Sequence, residues 1–307
     1  MESNTQRSGE PAEQSQDTGL SGAKDPELAK LSRAQLLELN QKFLEETGLE
    51  TRERALISQR LPMTVLRGEY DGAPTFVRRI DWLESKGYKT VRRSRGDGDC
   101  FYRCTSIAFA YVEKVLNAPD VALAVASALS TLEATLPLLK AAGFEPMVYE
   151  DFYEVFRSVI EQIVTPDAAT GERLTPDILL EAFQEPQASN SIVVYLRLLT
   201  SAQIRAAEDD YSAFLFHPDT GEPMGVREFC ESFVEAIGRE ADHVQITALA
   251  RALKVNVRIA YLDGRGSGDA VEFVEFQNRI DGLESDSSGS NAVVLLYRPG
   301  HYDILET

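Results

Sequence analysis

Two observations predict an α+β fold for this chain. Apolar residues recur at helical spacing through the middle of the sequence, and beyond residue 254 the period changes from 3.6 to 2. Strands gathered at the C-terminal end of a helical bulk are the pattern of an α+β domain, not of an alternating α/β one. The expected architecture is a helical bulk packed around a small C-terminal β-sheet. At 307 residues, 43% of them apolar, the chain has material for one large core or two modest ones.

Residues 1–24 are rich in Ser, Gln, Gly and Glu and read as a disordered polar tail. From Pro26 to about Gln59, Leu28, Leu31, Leu36, Leu37, Leu39 and Phe43 fall near helical spacing, with Gly48 as a break. Val77, Ile80, Trp82 and Leu83 predict a helix ending near Gly87, followed by a short strand at Tyr88–Val91. The next helix is expected at or just after Cys100, on the stripe Phe101, Cys104, Ile107, Ala108, Tyr111, Val112, Val115 and Leu116. Further helices are expected around Phe152–Ile160, from the N-cap and N1 pair Thr175-Pro176, over Ser191–Ala206, and near 226–237 and 243–253. The strands follow at Val255–Tyr261, Val271–Phe276, Ala292–Tyr297 and His301–Leu305, the last after a Pro299-Gly300 turn.

A formal net charge of −18 argues against a nucleic-acid binder, whose footprint is a basic patch, and against adsorption to an anionic membrane. The longest apolar runs are broken by charge, so no transmembrane helix is expected. The N-terminus lacks a secretory pattern. Three cysteines with no CxxC spacing suggest neither a disulfide framework nor zinc. A reducing cytosolic or nuclear compartment fits, with no metal and no cofactor.

With three cysteines and three histidines, context ranks the candidates. Cys100 follows Gly96-Asp-Gly-Asp99, a turn that allows positive φ and leaves backbone N–H groups uncovered. A thiol at such a helix start is shifted toward thiolate, and the N–H groups can hold an oxyanion. Local sequence leaves a catalytic loop and a structural cysteine evenly matched, because Gly-Asp-Gly is a common turn. Cys104 and Cys230 read as core. In the strand-like His301-Tyr302-Asp303 the outer two side chains share a side, so Asp303 can hold one ring nitrogen and leave the other as a base. His243 follows a natural N-cap, Asp242, and His217 sits in a loop before Pro218.

Asp97-Gly-Asp-Cys-Phe-Tyr-Arg103 resembles the nucleophile motif of the ovarian-tumour (OTU) deubiquitinases. Asn190–Ser201, Asp242-His243 with Ala248–Ala250, and Leu296–Leu305 are similar to the otubain branch, in matching order from about residue 55 onward. The resemblance implies a papain-like OTU fold and a thiol-dependent isopeptidase acting after the ubiquitin C-terminus, often on chains of the proteasome-targeting linkage. It makes Cys100 the nucleophile, His301 the general base, Asp303 its orienting residue, and Asp97 the residue that shapes the oxyanion turn through its backbone. It implies ubiquitin and polyubiquitin as partners of a monomer, with the N-terminal helix and the 211–245 region touching two ubiquitins. The organisation becomes a tail at 1–24, a helical ubiquitin-contacting extension at 25–60 and a catalytic domain at 61–307. An alternative expectation is a protein that binds ubiquitin or a ubiquitin-conjugating enzyme and acts mainly by occlusion. Asp99 departs from the family, which carries Asn there, and a carboxylate beside the thiol opposes thiolate formation.

Overall fold

The computed structural model describes residues 55–103, 107–263, 268–278 and 292–307. The tail, most of the 25–60 extension, Cys104 and the 281–290 loop lie outside the described residues.

The described chain opens with β1 (Leu61–Pro62), α1 (Met63–Glu69), α2 (Pro74–Ser85) and β2 (Thr90–Arg92). After the Cys100 turn come α3 (Ala108–Leu116), α4 (Val121–Glu133), α5 (Leu136–Ala141), α6 (Pro146–Glu161) and α7 (Pro176–Gln184). The long α8 (Pro186–Ala206), a short α9 (Glu208–Tyr211) and α10 (Val226–Phe229, continuing as a π turn to Val234) lead to α11 (His243–Ala252). Strands β3 (Asn256–Tyr261), β4 (Glu272–Phe276), β5 (Ala292–Arg298) and β6 (His301–Glu306) complete it. Capping chemistry sets several starts. Thr175 Oγ1 accepts from the Ile178 N–H at 3.2 Å, Asp120 caps α4 through the Leu123 N–H, and Asp242 with Gln245 forms a capping box on α11.

Among the described residues the strands form one sheet in the order β1-β2-β6-β5-β3-β4, with β3 and β5 parallel and the other pairs antiparallel. Two of its strands precede the Cys100 turn: β2 overlaps the strand expected at Tyr88–Val91, and β1 adds a further edge strand to the sheet expected at the C-terminal end. Pro62, which has no N–H to donate, sits on the edge strand. β6 is interior, held by β2 on one side and β5 on the other, so residues on it are fixed by two ladders.

Side-chain alternation divides the sheet between two cores. Val257, Ile259, Val293, Leu295, Tyr302 and Ile304 face the helical lobe. Ala260, Leu296 and Leu305 face the smaller layer of α1 and α2, against Met63, Leu66, Ile80 and Leu83. Helix α8 runs through the lobe with 12 of its 21 residues buried. Each fully buried large aliphatic side chain there contributes about 1.5–3 kcal/mol, so α8 is the rigid spine against which the site is built. Among its buried residues is Arg197, 1% exposed. A charge so placed requires partners.

Within 121–141 an 18-residue window has a mean hydropathy of 1.6, so the stretch is long and apolar enough by composition to cross a membrane. It is instead two helices separated at Ala134-Thr135. Thr135 Oγ1 meets the Tyr195 hydroxyl inside the lobe, and Val125, Ala128, Leu132 and Leu139 join the main core. The helix expected at Cys100 also differs. Residues 100–103 form a single turn, closed by the Arg103 N–H on the Asp99 carbonyl at 2.6 Å, and the regular helix α3 begins at Ala108. The apolar stripe is still buried, since Phe101, Ile107, Ala108 and Val112 are inaccessible.

Candidate active site

The Pro299-Gly300 turn, with Gly300 at φ +73°, starts β6 at His301. The register sets Arg298 opposite His301 and Leu296 opposite Asp303. Alternation then puts His301 and Asp303 on one side, as the sequence predicted, and Asp303 Oδ1 lies 2.8 Å from His301 Nε2. Asp303 is inaccessible, and it is fully engaged. Its Oδ1 also accepts the Ser94 N–H at 3.1 Å, while Oδ2 accepts from Arg298 Nη2 at 2.7 Å. Ser94 Oγ donates to the Tyr302 carbonyl at 2.8 Å and lies 3.3 Å from His301 Nε2.

With Nε2 committed to Asp303, Nδ1 is the nitrogen left on the opposite edge of the ring. That edge faces the Cys100 turn. A Cβ on Gly96 would lie 3.4 Å from Nδ1, and the Cys100 thiol is a hydrogen-bond partner of the ring. Tyr302 helps hold turn and strand together, its ring edge-on to Phe101 at 5.7 Å and its hydroxyl on the Ala241 carbonyl.

The turn is tightly specified. Gly98 has φ +79°, and a Cβ there would lie 2.1 Å from the Gly238 carbonyl oxygen, so only glycine fits. Asp97 shapes the turn through its side chain, where backbone alone was expected. Its Oδ1 accepts the Asp99 N–H at 3.2 Å, and its Oδ2 meets Arg95 Nε at 3.2 Å and Arg103 Nη2 at 2.8 Å. Asp99, whose charge was expected to burden the thiol, is turned into the protein and paired. Oδ1 accepts from Arg197 Nε at 2.9 Å and Nη2 at 2.5 Å, and from the Gly238 N–H at 3.0 Å. Its Oδ2 accepts from Arg103 Nη2 at 3.2 Å.

Beside the turn lies a cleft of about 890 Å³ whose lining includes Phe233, Gly238, Glu240, Tyr261, Tyr297 and Tyr302. Phe214 and Phe216, exposed by 65% and 47%, also line it. This is the 211–245 region singled out in the sequence.

Burial would lower the His301 basicity, but the hydrogen bonds to Asp303 and Cys100 and their charges raise it to about 9. Burial would raise Asp303, but the Arg298 guanidinium and the His301 hydrogen bond lower it to about 2. Both shifts stabilise the fold within a window. His301 binds its proton more tightly folded than at its ordinary 6.5, so its contribution is complete below 6.5 and lost as pH rises through about 9. Asp303 is held below its ordinary 3.8, so its contribution is present above 3.8 and lost as pH falls through about 2. Thermal melts of wild type and His301→Gln should therefore differ most between about pH 4 and 6.5 and converge toward about pH 9. A difference that widens with alkaline pH would contradict this coupling.

Of the other candidates, His243 follows its N-cap, with Asp242 Oδ1 accepting the His243 N–H at 2.7 Å. His217 lies edge-on to Phe233 at 5.2 Å, and Cys230 is core. None of the three joins the Cys100–His301 pair. Ser94, Arg298, Arg103 and Arg197, which surround it, were not singled out in the sequence.

A family model described as Peptidase C65 Otubain matches residues 49–307. The OVARIAN TUMOR DOMAIN-containing deubiquitinating enzyme 1 of Arabidopsis thaliana is 34% identical over 81% of this chain and 80% of its own length. The Homo sapiens ubiquitin thioesterase OTUB1 is 34% identical over 82% and 83%, and the Homo sapiens ubiquitin thioesterase OTUB2 is 32% identical over 81% and 94%. A solved complex of h/ceOTUB1 with ubiquitin aldehyde and UBCH5B~Ub superposes with a TM-score of 0.69 at 26% identity, covering 88% of this chain and 98% of that one. A ceOTUB1 complex with ubiquitin aldehyde and UBC13~Ub gives 0.70 at 26%, covering 85% and 97%.

Proposed function

We propose, for a chain that belongs to the otubain family of peptidases, a thioester mechanism that runs through Cys100, His301 and Asp303. The chain is a thiol-dependent ubiquitin hydrolase, a deubiquitinase of the cysteine-protease class. The observation that carries the mechanism is the meeting of the Cys100 thiol with the His301 ring while Asp303 occupies the ring's far nitrogen.

In the first half-reaction His301 Nδ1 takes the thiol proton and Cys100 Sγ adds to the C-terminal glycine carbonyl of ubiquitin. The negative oxygen of the tetrahedral intermediate is held by backbone N–H groups of the turn, in which the Cys100 N–H precedes the first i→i+4 bond. As the C–N bond breaks, His301 returns the proton to the departing lysine amine. Water then loses a proton to His301, attacks the thioester and releases the ubiquitin carboxylate with the thiol restored. Asp303 exchanges no proton in this scheme. It fixes the ring orientation and stabilises the imidazolium.

The substrate proposed is polyubiquitin, with preference for the proteasome-targeting linkage. That preference rests on the resemblance to the otubain branch. A panel of di-ubiquitins of each linkage tests it, with cleavage of that one linkage expected well ahead of the rest. Equal rates across the panel would remove the preference and leave the hydrolase. A ubiquitin-conjugating enzyme is a second proposed partner, supported by the UBCH5B~Ub and UBC13~Ub in the neighbouring solved complexes. A Cys100→Ser protein should still retain a charged conjugating enzyme in a pull-down.

A further inference from the structure

The residue that departs from the family motif, Asp99, makes more contacts than any other side chain of the Cys100 turn. It is 2% exposed and lies among Arg197 and Arg103, themselves 1% and 3% exposed. Arg197 does more than neutralise it. Nη1 donates to the Val234 carbonyl at 2.9 Å, and Nη2 reaches the carbonyls of Arg239 at 2.6 Å and Gly98 at 3.3 Å. The guanidinium also stacks over the Tyr102 ring at 4.3 Å. Arg103 continues the lattice to Asn190 Oδ1 at 2.6 Å on α8. The same carboxylate oxygen of Asp99 that faces Arg197 takes the Gly238 N–H.

Two segments distant in sequence thus meet on one carboxylate. One carries Cys100. The other, residues 234–239, runs into the wall of the cleft at Gly238, Arg239 and Glu240. We propose that Asp99 is a positioning residue, which locks the Cys100 turn to the 234–239 wall of the cleft through Arg197. The inference rests on Cys100 being the nucleophile. It inverts the expectation from sequence, in which the charge at this position weighed against the reaction.

An amide is a poor replacement for this carboxylate. Asp99 accepts at both oxygens, so the NH₂ of an amide would face a donor on one side. It would also leave two buried guanidiniums with less counter-charge. The turn would remain but its register against the wall would loosen, and a displacement of about 1 Å at a nucleophile costs on the order of a hundredfold in rate.

The test compares full-length wild type, Asp99→Asn, Arg197→Lys and Cys100→Ala on a fluorogenic C-terminal amide of ubiquitin, at a temperature where each is folded by circular dichroism. Asp99→Asn and Arg197→Lys should each lower kcat by about a hundredfold, with KM within roughly threefold of wild type. The pH profile of iodoacetamide alkylation, read by mass at the Cys100 peptide, should stay that of wild type, because Asp99 touches neither His301 nor Asp303. Wild-type or faster turnover by Asp99→Asn overturns the proposal. So does a displaced alkylation profile, which would mean that Asp99 acts on ionisation and not on position. If Asp99→Asn does not fold, Arg197→Lys, which keeps both charges and loses only the fork, decides on the same readouts. An inactive wild type or an active Cys100→Ala removes the nucleophile reading itself, whereas an active wild type matched by Asp99→Asn removes this inference alone.

Discussion

His301→Ala is expected to lower kcat for ubiquitin C-terminal hydrolysis by about 10⁴-fold or more, with little change in KM. The ring carries the proton in every step of the proposed cycle, so its loss removes thiol activation and amine protonation together. KM should hold because the cleft beside the turn is lined by residues other than His301. Truncation leaves Asp303 paired with Arg298 and the Ser94 N–H, so the protein should remain folded. Stopped-flow kinetics with the fluorogenic ubiquitin amide measure this. A loss of less than about tenfold would mean that another base serves Cys100.

Asp303→Asn is expected to harm both rate and fold. The carboxylate is inaccessible and holds three donors. Its loss leaves Arg298 largely buried without its charge partner, although Glu69 Oε2 remains 3.2 Å away. Breaking a buried pair on one side costs about 3–5 kcal/mol, and the remaining Glu69 contact places this case near the lower end, about 3 kcal/mol. The amide can also hold the ring in the wrong tautomer, and such a change costs about 10⁴-fold in serine hydrolases of the same logic. Urea denaturation and turnover, run on the same preparation, separate the two effects. A variant as stable as wild type would show that Arg298 finds full compensation elsewhere.

Much of the site was legible because it is local. A glycine-flanked Cys100 and a period-two His301-Tyr302-Asp303 carry their geometry in a few residues, and the β6 register reproduces it. The lattice around them was not legible. Arg197 reads as a polar interruption in an apolar helix, and its role depends on carbonyls at Val234 and Arg239 that only the folded chain brings near. Ser94, just past β2, and Arg298, the last residue of β5, are ordinary residues until both strands pair with β6. The helix expected at Cys100 shows the same limit. Apolar spacing from Phe101 onward reports burial, but the Asp97 and Asp99 side chains fix the backbone there, and the helical ladder starts at Ala108. Helices α4 and α5 escaped notice because their Ala, Leu and Val run lacks the polar face that makes a period visible. The two-residue strand β1 is shorter than any pattern can report, whereas β2 overlaps the strand expected at Tyr88–Val91.

The central claim is that Cys100 forms the bond to ubiquitin. A ubiquitin bearing a C-terminal vinyl electrophile, incubated with the full chain and mapped by peptide mass, tests it most directly. One adduct on Cys100 is predicted, absent from Cys100→Ala and much slower in His301→Ala. An adduct on Cys104 or Cys230, or one that persists in Cys100→Ala, would contradict it.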